Sequence, residues 1–342
     1  PMYSSSNGFG MQRLCLLVRR VRTHRRIVVS CVGEGCHLTA QASKNPIFGA
    51  MADVISLIII GCSLLGFLYS VKQCKAVASV KLDGHPNDTH INRGDSLPDA
   101  LEKMKELGGI IQVGADAFLN AEYFYLAIFV VLFTPVVWGA AGMYAAIAFV
   151  IGCVTSTFSG WIGVKIATYT NYRTTHECWS SVSKGYAVAI QGGSVMCLSL
   201  VAIGLLNMML LILAFTRCGS FESQEAMYVA LAGYGLGGSS IALFGRVGGE
   251  IYTKAADVSA DLSGKRDNGM DEDDPRNPAC IADDAGDNVG DIAGMGADFF
   301  GSFAEATCAA LVVSSASEIC HDWNAMMFPP LLSAGGIVSG IM

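Results

Sequence analysis

The chain has 342 residues, of which 52% are hydrophobic and only 15% charged, with a mean hydropathy of +0.46. Soluble domains carry about 25% charge, so an ordinary soluble domain is excluded. There is no glycine period, no sustained heptad and no polar excess, which excludes collagen, coiled coil and disorder and leaves a polytopic membrane protein.

Residues 1–33 contain no Asp or Glu but include Arg13, Arg19, Arg20, Arg22, Arg25 and Arg26. Residues 1–50 therefore read as a basic targeting segment or a variable extension, or as a stretch upstream of a start at Met51. Residues 51–342 are expected to form the membrane domain. A crossing needs about 20 mostly apolar residues. Val54–Val71 supplies the first. Tyr123–Val164 is charge-free over 42 residues, which predicts two helices turned near Gly139–Gly142, with Pro135 kinking the first. Gly185–Thr216, Ala226–Gly245 and about Ile292–Ser317 give three more. Asn324–Met342 begins another. The expected fold is all-α, with six complete transmembrane helices and the start of a seventh.

Twelve cysteines form no C-x-x-C pair, and Cys62, Cys153, Cys197 and Cys308 lie in apolar runs as small hydrophobes. GYGLGG at 233–238 fits G-x-G-x-x-G, but it lies inside a span with no strand before it, so it reads as close helix packing. Basic residues cluster after the first span (Lys72, Lys75, Lys81, Arg93, Lys103, Lys105) and after the third (Lys165, Arg173, Lys184). The positive-inside rule places both segments, and with them the stretch 250–290, on the cytosolic side.

The net charge of −7 is unevenly placed, with thirteen of the 29 acids between Glu250 and Asp298. Such a patch repels phosphate backbones, so nucleic acid is not an expected partner. Arg246, Glu250, Lys254, Asp257, Asp261 and Lys265 are spaced three or four apart and form one helical stripe. Asp283, Asp287, Asp291, Asp298 and Glu305 are spaced 4, 4, 7 and 7 and form a second. Asp271–Pro278, with its two prolines, marks the turn of a hairpin between them. A solvated face is a poor explanation, because like charges at i,i+4 destabilise a helix. Hard oxygen ligands from two helices suit Mg²⁺, which keeps phosphate oxygens and waters among its ligands. Lys254 and Lys265 are out of place in a pure cation cage, but they fit a metal–phosphate complex. No Walker A sequence is present. Asp298 and Glu305 fall inside a span, where a carboxylate marks function, and Arg246 is placed to pair with Asp298.

These residues resemble the membrane-bound, ion-pumping inorganic pyrophosphatases. The likeness is carried by GRVGGEIYTKAADVSADLSGK at 245–265, EDDPRNP at 272–278 and DDAGDNVGDIAGMGAD at 283–298, and KIATYTNYRTT at 165–175 resembles the family's third-span exit. The resemblance implies a bundle of about sixteen spans, a homodimer, and hydrolysis of Mg-complexed pyrophosphate on the cytosolic face. It implies Mg²⁺ as cofactor, with K⁺ as a further candidate, and the lipid bilayer of a vacuolar or acidocalcisome-like membrane as the setting. Carried over by position, Asp257, Asp261, Asp283 and Asp287 are similar to metal ligands. Lys254, Lys265 and Glu272 are similar to substrate contacts, and Asp287 and Asp291 to the carboxylates that handle the attacking water. Arg246, Asp298 and Glu305 are similar to an ion gate, in a hairpin at 246–291 and the helix after it. DFFGSFAE at 298–305 resembles the proton-pumping branch, since sodium pumps tend to place the gate glutamate one turn earlier, where this chain has Gly301. Glu250 and Ser259 stand where the family has glycines, and Asp284-Ala285 replaces an Asn-Val pair. The 342-residue chain alone is expected to be inactive, because the family's second half supplies further Asp and Lys residues. Two other readings remain: a divalent-cation channel or transporter with an acidic Mg²⁺-binding loop, and a non-catalytic truncated homologue.

Overall fold

The structure, a computed structural model, describes residues 46–84, 97–271, 274, 276–317 and 322–342. Residues 1–45 of the expected targeting segment, and Glu272, lie outside the described residues. The chain divides into a unit up to Val54 and a unit from Ile55, and the architecture below is that of the second.

Among the described residues there is no strand. The helices are α1 (Pro46–Ala78), α2 (Leu97–Ala141), α3 (Met143–Ser180), α4 (Val182–Cys218), α5 (Gln224–Asp261), α6 (Pro278–Asp287), α7 (Met295–Ser315), α8 (Trp323–Met326) and α9 (Phe328–Ile341). α5 continues through a π-helical turn, Leu262–Asp267, and a second π segment, Asn288–Gly294, joins α6 to α7. Among the described residues, six helical runs are long and apolar enough to cross a bilayer. They match the six complete spans expected from the sequence, and α9 is a further apolar helix of 14 residues. The turn between α2 and α3 is Gly142, whose φ of 89° is open to glycine at no steric cost.

The helices are longer than their apolar stretches. α2 has 45 residues and α3 has 38, about twice what a crossing needs. Lys103, Lys105, Lys165 and Arg173, expected in loops, are helical. The physical reason is pairing along and between the extended helices. Lys165 Nζ lies 2.6 Å from Asp116 Oδ2 on α2, and the Arg173 guanidinium sits 3.5 Å over the Tyr169 ring. These four charges thus sit on helical extensions of the spans.

The core lies between α3, α4, α5 and α7, where Phe149, Leu205, Met208, Tyr234 and Phe300 are buried. Leu57 and Leu68 of α1, and Val131 and Trp138 of α2, are exposed, as a lipid-facing surface requires. GYGLGG packs helices, as expected. A Cβ at Gly233 would strike the Ala145 carbonyl and one at Gly237 the Phe149 carbonyl, both on α3; one at Gly238 would lie 2.6 Å from the Phe300 ring on α7. The Tyr234 hydroxyl donates to the Gly204 carbonyl at 3.0 Å, tying α5 to α4. Cys153 and Cys308 are buried as small hydrophobes, and Cys62 is partly so; Cys197 instead faces outward from α4.

Candidate functional site

The hairpin is built by short-range chemistry at its tip. Asn277 caps α6 by accepting from the Ala279 N–H at 3.1 Å, with Pro278 at the first helical position, where its missing N–H costs nothing. Its side-chain amide donates to the Ala260 carbonyl at 2.9 Å, which fixes the start of α6 to the end of α5. Asp274 accepts from the Arg276 backbone N–H and guanidinium, and these bonds hold its carboxyl down at about 2. Gly269, at φ 61°, turns the chain out of the π-helical end of α5.

Below the tip, glycines let the two backbones touch. A Cβ on Gly249 would lie 2.6 Å from Gly290 Cα, and one on Gly294 would lie 2.9 Å from Arg246 Cα. Gly290 and Gly294 belong to the π segment Asn288–Gly294. Such segments recur at functional sites because they re-aim the residues that follow. The even spacing expected for the second stripe assumed an unbroken α-helix, and here the structure differs. The π segment holds Asp291 and separates the register of Asp283 and Asp287 from that of Asp298 and Glu305.

The predicted residues fall into three groups. In the first, Lys254 Nζ lies 3.8 Å from Asp257 Oδ2 on α5, and its charge acts on Asp283 and Asp287 of α6. Asp283 and Asp287 lie on α6, ahead of the apolar run of α7. Burial raises their carboxyls first. Charge repulsion adds to this, from Asp287, Asp257 and Asp284 on Asp283, and from Asp291 and Asp257 on Asp287. Lys265 pairs with Asp261 at 3.3 Å. In the second group, Asp284, Asp287 and Asp291 line an open cavity of about 540 Å³ with Thr170, Asn171 and Thr174 of α3. In the third, Arg246 bridges two carboxylates: Nε donates to Glu250 at 3.0 Å and Nη1 to Asp298 at 2.8 Å. Glu305 accepts from the Ser239 hydroxyl at 3.1 Å.

Among the described residues no three His, Cys, Asp or Glu side chains converge closely enough to form a ready-made metal cage. The donor set still fits Mg²⁺. It is all hard oxygen, its members repel one another across a shared space, and Mg²⁺ needs only one or two carboxylates when phosphate oxygens and waters complete its shell.

Sequence reasoning missed three features. Asn277 was legible, since Asn before Pro at a helix start is a capping signal. The two π turns left no signal in the residue types, and the Ser239–Glu305 bond depends on how α5 and α7 pack.

The family profile described as inorganic H+ pyrophosphatase matches residues 64–342. A Clostridium tetani protein, provisionally named a K(+)-stimulated pyrophosphate-energized sodium pump, is 44% identical over 241 residues, 70% of this chain and 34% of that protein. A K(+)-insensitive pyrophosphate-energized proton pump of Caldanaerobacter subterraneus is 36% identical over 260 residues, 70% of this chain and 36% of that protein. A K(+)-stimulated pyrophosphate-energized sodium pump of Thermotoga maritima is 40% identical over 239 residues, 64% of this chain and 32% of that protein. The chain spans about a third of the length of these curated relatives. With its family match running through the hairpin and both spans that flank it, the chain belongs to the inorganic H+ pyrophosphatase family.

Proposed function

We propose that this chain carries the first part of the hydrolytic site and ion gate of a membrane pyrophosphatase that drives protons out of the cytosol. The observation that carries the reading is the continuity of α5. Lys254 and Asp257 face the carboxylates of α6, and two turns below them Arg246 grips Asp298. Part of the hydrolytic site and the arginine that holds an intramembrane carboxylate thus share one helix.

Lys254 and Lys265, with Glu272 nearby, hold pyrophosphate as its Mg complex. A lysine is a compact point charge suited to phosphate oxygens. Asp257, Asp261, Asp283 and Asp287 would hold Mg²⁺. When bound, Mg²⁺ neutralises phosphate oxygens and lowers the pKa of a bound water. Asp287 and Asp291 orient the attacking water and accept its proton. Burial, and then the charge of Asp291, raise the Asp287 carboxyl, which suits that task. Arg246 holds Asp298 at the cytosolic end of the span, and Glu305 binds and releases the ion deeper in the membrane.

The choice of proton over sodium is supported at position 301. A Cβ on Gly301 would lie 3.1 Å from Ser239 Cα and 3.2 Å from Ala242 Cβ, so a glutamate does not fit there without α5 moving. Glu305, on the open face of α7, is the carboxylate available. The full assembly follows the resemblance: a homodimer of about sixteen-span subunits in a vacuolar or acidocalcisome-like membrane, with K⁺ as a further cofactor. The names of the relatives divide between K⁺-stimulated and K⁺-insensitive pumps.

The test is proteolytic protection of residues 250–290 in the full-length protein. Mg²⁺ with a non-hydrolysable pyrophosphate analogue is expected to protect the segment far better than Mg²⁺ alone. Protection by Mg²⁺ alone, unchanged by the analogue, contradicts the reading and favours a cation channel with a Mg²⁺-sensing loop.

A further inference from the structure

Glu122 of α2 is a carboxyl that the mechanism above leaves unused. Its Oε1 is buried and has no hydrogen-bond partner among the described residues. It looks onto the turn of α5 that carries Arg246: a Cβ built on Gly245 would lie 3.5 Å from Oε1, and one on Gly248 3.7 Å. Two glycines on that turn leave the carboxyl its space.

Two voids meet at Glu122. On the inner side is a cavity of about 10 Å³, close to the room one water needs, lined by Glu122, Ser156, Gly245, Gly294 and Ala297 among others. The Ser156 hydroxyl is also buried without a partner. Gly245 and Ala297 are the chain neighbours of Arg246 and Asp298, so this cavity lies against the backbone of the ion pair. On the outer side Glu122 lines an open cleft of about 470 Å³ with Phe118, Tyr125 and Phe244.

Few charged groups compete for it. On its own helix the Tyr123 hydroxyl is engaged with the Thr157 carbonyl at 2.9 Å, and Tyr125 lines the cleft. α3 presents Ser156, Thr157 and Gly160 to the cavity, and none of them is charged. α5 brings Arg246, whose guanidinium is directed to Glu250 and Asp298, and α7 brings Asp298 itself. An ionised carboxylate without a partner is costly in such a place and a neutral one is not, so the group exchanges its proton when water reaches it.

We propose that Glu122 is the proton-loading carboxyl of the ion path. It takes a proton from water in the outer cleft and hands it to water in the inner cavity, beside the Arg246–Asp298 pair. One proton moves in each transfer, and no other bond changes. The inference rests on the pumping function proposed above.

The test uses the full-length protein in sealed vesicles, with acidification and phosphate release read in one preparation. Glu122→Gln, which keeps the shape and removes the ionisation, is expected to lower the ratio of acidification to phosphate release roughly tenfold. Glu122→Asp is expected to restore part of that ratio, which a purely structural role would not predict. The infrared carbonyl band of a protonated carboxyl should be present in the wild-type protein at neutral pH and lost in Glu122→Gln. A Glu122→Gln protein that acidifies at the wild-type ratio overturns the proposal. If the wild-type protein neither hydrolyses pyrophosphate nor acidifies, the function proposed above fails instead. The infrared band then decides Glu122 alone: its loss in the variant supports the proposal, and an unchanged band overturns it.

Discussion

The Arg246 guanidinium donates to Asp298 at 2.8 Å across the interface of α5 and α7, and its Nε donates to Glu250 at 3.0 Å one turn along its own helix. One arginine therefore connects a carboxylate on the Lys254 stripe to a carboxylate on the helix of Glu305. The two bonds differ in kind. The Glu250 pair is an i,i+4 contact with both side chains about half exposed, at 48% and 51%. The Asp298 pair joins two helices.

Exposed i,i+4 pairs contribute little to stability. Glu250→Gln is accordingly expected to leave the thermal unfolding midpoint of the purified protein essentially unchanged while freeing one face of Arg246. Asp298→Asn removes the charge of the interhelical partner. It should lower the ratio of ion transport to hydrolysis far more than Glu250→Gln does. Equal effects of the two variants on that ratio would show that Arg246 does not discriminate between its partners.

The closest backbone approach in the hairpin is between Gly249 and Gly290, where an added Cβ would lie 2.6 Å from Cα. Gly249→Ala is expected to destabilise by about 1–3 kcal/mol, the range for overpacking a tight interface, and to disturb Arg246 beside it. Gly139→Ala is the control, since a Cβ there meets nothing within 4 Å and alanine favours a helix by about 0.5–1 kcal/mol over glycine. Thermal unfolding in detergent should move in opposite directions for the two. A Gly249→Ala protein as stable as wild type would mean that the helices separate at no cost.

The hairpin tip should be sensitive to acid. Hydrogen bonds from Arg276 hold the Asp274 carboxyl at about 2, below its usual 3.8. A depressed carboxyl contributes stability that is full above its unfolded pKa and is lost as pH falls through its folded one. The turn is therefore expected to resist an acid protease near pH 4 and to open as pH falls toward 2. Arg276→Ala should remove both donors from the side chain and increase cleavage between Leu262 and Pro278 already at neutral pH. Identical cleavage of variant and wild type across this range would show that the pair does not hold the turn.

Much of this was legible in the sequence because it rests on local rules. Apolar stretches, five of the six spans free of charge, gave the crossings, and Gly142 breaks the longest of them where expected. The spacing of Arg246 and Asp298 on adjacent helices anticipated their pairing. The π turns were not legible, because no residue type encodes them; the second, Asn288–Gly294, includes Gly290, which lies against Gly249 of α5. Nor was the length of α2 and α3, since Lys165 and Asp116 stabilise each other only once the helices are adjacent. Glu122 passed unnoticed for the same reason. Its position beside an apolar span reads as an ordinary boundary residue, and only the packing of α5 against it shows that Oε1 is enclosed.

The central claim is that hydrolysis at the hairpin drives an ion through Glu305. The direct measurement is phosphate release and acidification in one preparation of sealed vesicles holding the full-length protein, on addition of pyrophosphate with Mg²⁺. Glu305 lies 14 residues beyond Asp291, about 20 Å at 1.5 Å per residue, so it cannot touch the attacking water. Wild type is expected to show both signals, Lys254→Ala to lose both, and Glu305→Gln to lose acidification while hydrolysis falls less. Acidification undiminished in Glu305→Gln would contradict the account, as would Mg²⁺ flux that needs no pyrophosphate.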